Sequence, residues 1–183
     1  MKSMLSSCRS ILLACAAAGA LLALGGCASP VASTALLPVD LTVAKHHPQT
    51  VAVTVSGGAE TSALGKSQVS DVELQKAVAD AITQTKTFSQ VVDGKSGDYI
   101  LTVSLFNLSQ PAFGFSFTVA TEMGWTLTRA STGEKVWQES IKSEHTVGTG
   151  EAFVGVTRLR LATEGAIRNN VRQGLTRLSA LSL

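Results

Sequence analysis

Phe115-Ser-Phe-Thr-Val-Ala-Thr-Glu-Met-Gly-Trp-Thr-Leu-Thr128 alternates with the two-residue period of a β-strand. Phe115, Phe117, Val119, Met123, Trp125 and Leu127 fall on one side, and Ser116, Thr118, Ala120, Glu122, Thr126 and Thr128 on the other. Successive side chains of a strand point to opposite faces, so one face rests on a core and the other lies near water. Working outward from this strand, Ser131-Thr132-Gly133-Glu134 has the composition of a hairpin turn into a partner strand, Lys135–Thr146, with Trp137 and Ile141 inward. Before it, Asp98–Leu108 places Tyr99, Leu101, Val103 and Leu105 on one face. The short run Gln90–Val92 and the segment Thr50–Ser56, with Val51, Val53 and Val55 in alternation, complete the set of strands.

Two helices flank these strands. Ser70 and Glu73 have the spacing of a capping box, with Val69 and Leu74 placed as its hydrophobic staple. Leu74, Ala77, Val78, Ala81, Ile82 and Thr85 then follow at helical steps, and the helix is predicted to end near Lys86–Phe88. From about Ala152, Val156, Leu159, Ala166, Ile167, Val171, Leu175, Leu178 and Leu181 make a second apolar stripe. Gly165 and Gly174 weaken this helix intrinsically, so packing must hold it. The expected order is β-α-β-β-β-β-α: an α+β fold with a mainly antiparallel sheet of four to five strands and both helices on one face. At 183 residues the chain has room for a single domain, spanning residues 50–183.

The first 26 residues carry a different signal. Lys2 and Arg9 precede the apolar run Ile11–Leu24, whose 14 residues suit an export leader but fall short of a membrane-spanning helix. Leu24-Gly25-Gly26-Cys27 resembles the lipobox of bacterial lipoproteins. The resemblance implies cleavage between Gly26 and Cys27, attachment of lipid to the Cys27 sulfur, and an acylated mature N-terminus. Ala28 in the next position implies delivery to the outer membrane, with the domain facing the periplasm. Residues 27–49, interrupted by Pro30, Pro38 and Pro48, are expected to form a flexible tether. Cys8 and Cys15 leave with the leader, so the mature chain is expected to hold its core without an internal disulfide.

Charge narrows the function classes. Of 15 lysines and arginines, Lys2 and Arg9 lie in the leader, which leaves 13 bases against 13 acids. Such a balance does not attract nucleic acid. Arg158, Arg160, Arg168, Arg172 and Arg177 nevertheless concentrate in the last helix, either against an acidic sheet or as a surface for an anionic partner. Gly57-Gly58 and Gly65-Lys66-Ser67 suggest a phosphate loop, but six residues separate Gly58 from Gly65 where the motif needs four, and Glu60 would repel phosphate. His46, His47 and His145 have no ligand spacing, and Gly94-Lys95-Ser96-Gly97 is one residue short of a nucleophile elbow. No cofactor, no metal and no enzymatic activity are expected. Phe106, Phe113, Phe115 and Phe117 gather around Pro111 and Gly114, either as sheet core or as an exposed grip. Gly114 and Gly124 mark bulges or close approaches.

Val51-Ala-Val-Thr-Val-Ser-Gly-Gly, the capped helix, Asp98-Tyr-Ile-Leu-Thr-Val and Thr132-Gly-Glu-Lys-Val-Trp137 resemble the small periplasmic lipoproteins of the YajG type, and the layout is similar to that of LptE. The resemblance implies a non-catalytic accessory or assembly role with an envelope protein partner, and it brings over no binding residue. Phe113, Phe115, Phe117, Arg168 and Arg172 are the residues expected to contact a partner or lipid. A lipid- or glycan-binding carrier or sensor is the first alternative, and an envelope hydrolase the second.

Overall fold

The computed structural model describes residues 28–61 and 66–183. Five strands form one sheet: β1 (His47–Ser56), β2 (Phe88–Val92), β3 (Tyr99–Ser109), β4 (Ser116–Arg129) and β5 (Lys135–Gly148). Helix α1 (Asp71–Thr85) lies between β1 and β2, helix α2 (Gly155–Ser179) follows β5, and a 3-10 turn, Ser33–Leu36, precedes β1. The strands run in the spatial order β2-β1-β3-β4-β5. Both helices lie on one face, because Leu74, Ala77, Val78 and Ile82 of α1 and Ile167, Val171, Leu175 and Leu178 of α2 share one core with Val51, Leu101, Trp125 and Ile141.

The sheet is mixed, which corrects the expectation of a mainly antiparallel one. β1 pairs in parallel with β2 on one side and with β3 on the other, while β3–β4 and β4–β5 are antiparallel. The cause is the α1 crossover, which returns the chain to β1 in the same direction. β2 takes the first half of β1, at His47–Ala52, and β3 takes Val51–Ser56. The connection between them therefore crosses β1, and Gly97 rests on Ala52, where a Cβ would stand 3.0 Å from the Ala52 nitrogen. Asp98 then anchors the crossing. Its carboxylate accepts from the Thr50 amide and hydroxyl, both at 2.8 Å. These bonds, the backbone one foremost, hold the Asp98 carboxyl below the usual aspartate value.

The α1 start shows how a local motif is bent to a tertiary use. Ser70 Oγ accepts from the Glu73 amide, as a capping box requires, and Val69 and Leu74 are both buried as the staple. The Glu73 carboxylate does not reach back, however. It accepts from the Ser33 amide at 2.5 Å and so ties the N-terminal segment to the helix. At the far end, Lys86 adopts a left-handed conformation (φ 53°) and caps the last carbonyls.

The segment expected as a tether over residues 27–49 is largely part of the fold. Val31 and Leu36 are buried in the core, and the 3-10 turn touches both helices. From there the chain follows α2 downward. The Ala35 carbonyl accepts from Arg168, the Val39 carbonyl from Arg172, and the Ala44 amide donates to Ser179 Oγ. Prolines argued for extension, and the segment is extended, but its few apolar side chains suffice to seat it. Cys27 and Gly26 lie outside the described residues.

Gly57 and Gly58 serve the backbone rather than a phosphate. Gly57 has φ +88°, and a Cβ there would meet the Leu105 carbonyl oxygen at 2.3 Å. The Gly58 amide donates to Asp71 at 2.7 Å, which fastens the end of β1 to the first turn of α1.

Candidate functional site

Three connections meet at one end of the sheet: residues 57–61 and 66–70 between β1 and α1, 110–115 between β3 and β4, and 149–154 between β5 and α2. Arg158, one turn into α2, joins the last two. Its guanidinium donates to the carbonyls of Ala152 (3.0 Å), Phe153 (2.6 Å) and Gly114 (3.2 Å), and lies 5.1 Å from the centre of the Phe117 ring. Only 7 % of Arg158 is exposed, and among the described residues no carboxylate pairs with it. A buried cation held by carbonyls and a ring keeps its charge without cancelling it.

This clamp gathers the exposed apolar side chains of that end. Phe113, Phe115 and Phe153 are 89 %, 88 % and 88 % exposed, and Val154 and Val156 stand beside them in the chain. Substitution of Arg158 by methionine should release both connections. The loss of hydrogen bonds from a charged donor is expected to cost about 2 kcal/mol. Amide exchange at residues 110–115 and 149–154 should accelerate by about tenfold or more, read by hydrogen–deuterium exchange.

A second stitch lies behind the clamp. Gln110 Nε2 donates to the Ser67 carbonyl (2.6 Å) and to Thr163 Oγ1 (2.8 Å), and Lys66 Nζ donates to the Gln110 carbonyl (2.8 Å). Ser67 Oγ in turn donates to the Ser29 carbonyl at 3.2 Å, and the Val31 amide to that of Gln68 at 3.3 Å. The first described residues therefore lie at this same end.

The expected contact residues are divided by the structure. Phe113 and Phe115 are at the exposed tip. Phe117 is buried beneath Arg158 at 7 % exposure and belongs to the core, because the ladder of β4 begins at Ser116 and turns it inward. Phe115 has the same parity but lies before the paired region, so nothing covers it. Phe106 leaves the cluster altogether. A bulge between Leu105 and Asn107 puts its ring against Gly124, where a Cβ would clash at 2.4 Å. Arg168 and Arg172, expected as an anion-facing pair, bond instead to backbone carbonyls of the N-terminal segment and strap it to α2. Arg160 pairs with Glu164, and Arg177 with Glu139. Phe153 was not singled out from the sequence, since it stands alone before a helix start and only the fold brings it to Gly114.

The sheet face away from the helices is open and largely polar, with the exposed Phe106 ring lying over Gly124. Hydroxyls pair across the strands, Thr54 with Thr102 and Ser56 with Ser104 at 3.1 Å, and Thr118 with Thr146 at 2.8 Å. Glu122 accepts from Ser140 at 2.7 Å and lies 3.5 Å from Lys142, and the Ser140 bond, with the lysine charge, lowers its pKa. Among the described residues no group of three or more His, Cys, Asp or Glu could hold a metal ion, and no helix is long and apolar enough to cross a membrane.

No protein-family model and no curated protein matches the sequence. Solved structures do match in shape. A Xanthomonas campestris protein of the DUF330 family superposes with a TM-score of 0.57 at 11 % identity, over 77 % of this chain and 88 % of that one. Uncharacterized lipoprotein B of Nitrosomonas europaea gives 0.51 at 12 % identity, over 76 % and 87 %. The hypothetical protein CT253 of Chlamydia trachomatis gives 0.50 at 10 % identity, over 75 % and 100 %. At such identities the likeness is one of fold, and the chain has a bacterial lipoprotein-like fold.

Proposed function

We propose that this protein is an envelope lipoprotein, anchored to the outer membrane through Cys27, whose domain works in the periplasm as a non-catalytic accessory factor that binds a protein partner. The observation that carries this reading is the placement of Val31. It is buried four residues after the lipobox cysteine, which supports a domain that starts close to its anchor and works at a membrane surface. The resemblance to YajG-type lipoproteins supports the same role. The fold offers the partner a broad polar sheet face, lined by paired hydroxyls and free of helices, next to the 14-residue edge strand β5. The buried polar groups of the core have structural work: Asn170 accepts from Trp125 and donates to the Ile141 carbonyl, and Thr163 bridges Leu159 and Gln110.

The test is photocrosslinking in intact cells from Thr102, Thr126 and Ser140 on the open face, against Gln75 and Thr176 on exposed helix positions. One defined envelope protein should be captured from the sheet face and not from the helices. Capture only from the helix positions, or an acyl or sugar ligand retained in native mass spectrometry with no protein crosslink, would refute the reading.

A further inference from the structure

We propose that the aromatic end of the domain, Phe113, Phe115, Phe153, Val154 and Val156, docks into the same bilayer leaflet that holds the lipid on Cys27. The inference deepens the function proposed above and rests on Cys27 being acylated.

Three observations converge on it. The first is where the chain begins. The Ser29 carbonyl is bonded to Ser67, whose own carbonyl is bonded to Gln110, only three residues before Phe113. Cys27 is two residues before Ser29, so its backbone can be no more than about 7 Å of chain from that position, and its sulfur no more than about 10 Å. Acyl chains on that sulfur pull this end, and no other, to the membrane. The opposite end, at the turn after β4, is roughly 45 Å away along a 14-residue strand.

The second is the surface at that end. Three phenylalanines, each almost nine-tenths exposed, and Val154 project from two loops fixed together by one guanidinium, with Val156 beside them in the first turn of α2. Single exposed apolar residues are ordinary, whereas several gathered on one rigid tip mark a contact. Their clamp also means that they need no ordering when they enter a second phase.

The third is charge. Arg158 sits directly behind the rings without a carboxylate partner, and Lys66 is exposed beside Gln110. Glu151 is the acid of the 149–154 connection, where its carboxylate accepts from the Gly148 amide, and the exposed Glu60 is the acid of the stretch after β1. Lys66 is the exposed cation, while Arg158, 7 % exposed, acts through its field behind the rings, and apolar rings with such charge behind them suit an interface where acyl chains give way to phosphates. Docking would fix the tilt of the domain and turn its polar sheet face sideways, open to a partner.

Spin labelling of the acylated protein in vesicles of phosphatidylethanolamine and phosphatidylglycerol tests this directly. Cys8 and Cys15 leave with the leader, and the Cys27 sulfur would be a thioether, so one introduced cysteine becomes the single free thiol. Labels are placed by Phe113→Cys, by Phe153→Cys and, at the far end, by Ser131→Cys. For the two tip positions, the ratio of accessibility to oxygen over accessibility to a water-soluble nickel chelate should exceed that at position 131 by about fivefold, as expected for side chains 5–10 Å into the interface. A label at Ala112→Cys should show the same depth. It should lose that depth when Phe113, Phe115 and Phe153 are all changed to serine, while the protein stays on the vesicles through its lipid.

Tip labels as wet as position 131, on protein whose intact mass shows acylation, would overturn the docking and leave the lipoprotein reading standing. Tip labels shielded from both oxygen and nickel would mean that a protein or a second copy covers the tip, which also overturns it. An intact mass without acyl chains would remove both readings together.

Discussion

Gly174→Leu is expected to lower the melting temperature of the protein by about 12 °C or more, and Gly174→Ala to lower it by about 6 °C. Gly174 lies on the face of α2 that meets Trp125, and a Cβ at this position would stand 2.4–2.6 Å from three atoms of the indole ring. The ring has nowhere to retreat. It is fully buried, and its Nε1 donates to Asn170 Oδ1 at 3.0 Å, while Asn170 Nδ2 donates to the Ile141 carbonyl at 2.7 Å. Overpacking of this kind costs about 3 kcal/mol at the upper end of its usual range. Alanine regains about 1 kcal/mol of helix propensity, leaving a net loss of about 2. Leucine adds three more carbons and must displace Trp125 itself, a cost of about 4 kcal/mol or more, comparable to truncating the tryptophan. A domain of this size has a total stability of about 5–15 kcal/mol, so the leucine variant loses about a quarter of it or more. The check is chemical denaturation of both variants beside Trp125→Leu and the double variant Trp125→Leu/Gly174→Ala. Because the two sites share one contact, the double variant should be more stable than the sum of single effects by about 1–2 kcal/mol. Additive losses, or a Gly174→Leu protein that melts like the parent, would show that the helix does not seat on Trp125 as described.

Cys27→Ser is expected to abolish lipid incorporation. A thiol is the nucleophile that takes a diacylglyceryl group as a thioether, and a serine hydroxyl at neutral pH is not a substitute. Without that step the leader should stay attached, so the chain should be recovered with residues 1–26 still present. Labelling with an alkyne fatty acid should fall to background, and intact mass should show the full precursor. The physical consequence is large. Each buried methylene contributes about 0.8 kcal/mol, so two or three chains hold a protein essentially permanently, whereas a single myristoyl chain gives only reversible binding. A chain exported behind an ordinary cleavable leader, so that it begins at Ala28, should therefore lose membrane retention by about 100-fold or more. Unchanged acyl labelling of Cys27→Ser would contradict the assignment of the anchor.

Local patterns and long-range contacts contributed differently to what could be read in advance. The alternation through Phe117–Leu127 specified β4 and its inward face, since a strand's period is a property of the backbone itself. Ser70, Val69 and Leu74 marked the start of α1 for an equally local reason. Parallel pairing around β1 was not legible. Its partner β2 has only five residues, and nothing in an apolar strand states which neighbour it will take or in which direction. Half of the tip was legible in the same way. Phe113 and Phe115 could be flagged as a cluster beside Pro111, but Phe153, 40 residues away, joins them only through the carbonyls that Arg158 collects. The arginines misled because a charge count registers a guanidinium's sign but not its acceptor. Arg168 and Arg172 reach carbonyls 133 residues away in sequence.

The amino-acid order by itself determined the element types and the apolar side of each element, because these depend on neighbours within a few residues. Only the folded chain decided that the sheet is mixed, that the supposed tether is strapped along α2, and that three exposed phenylalanines stand at the end where Ser29 is bonded. These depend on which distant surfaces exclude water together, and a one-dimensional pattern holds no record of that choice until the core closes.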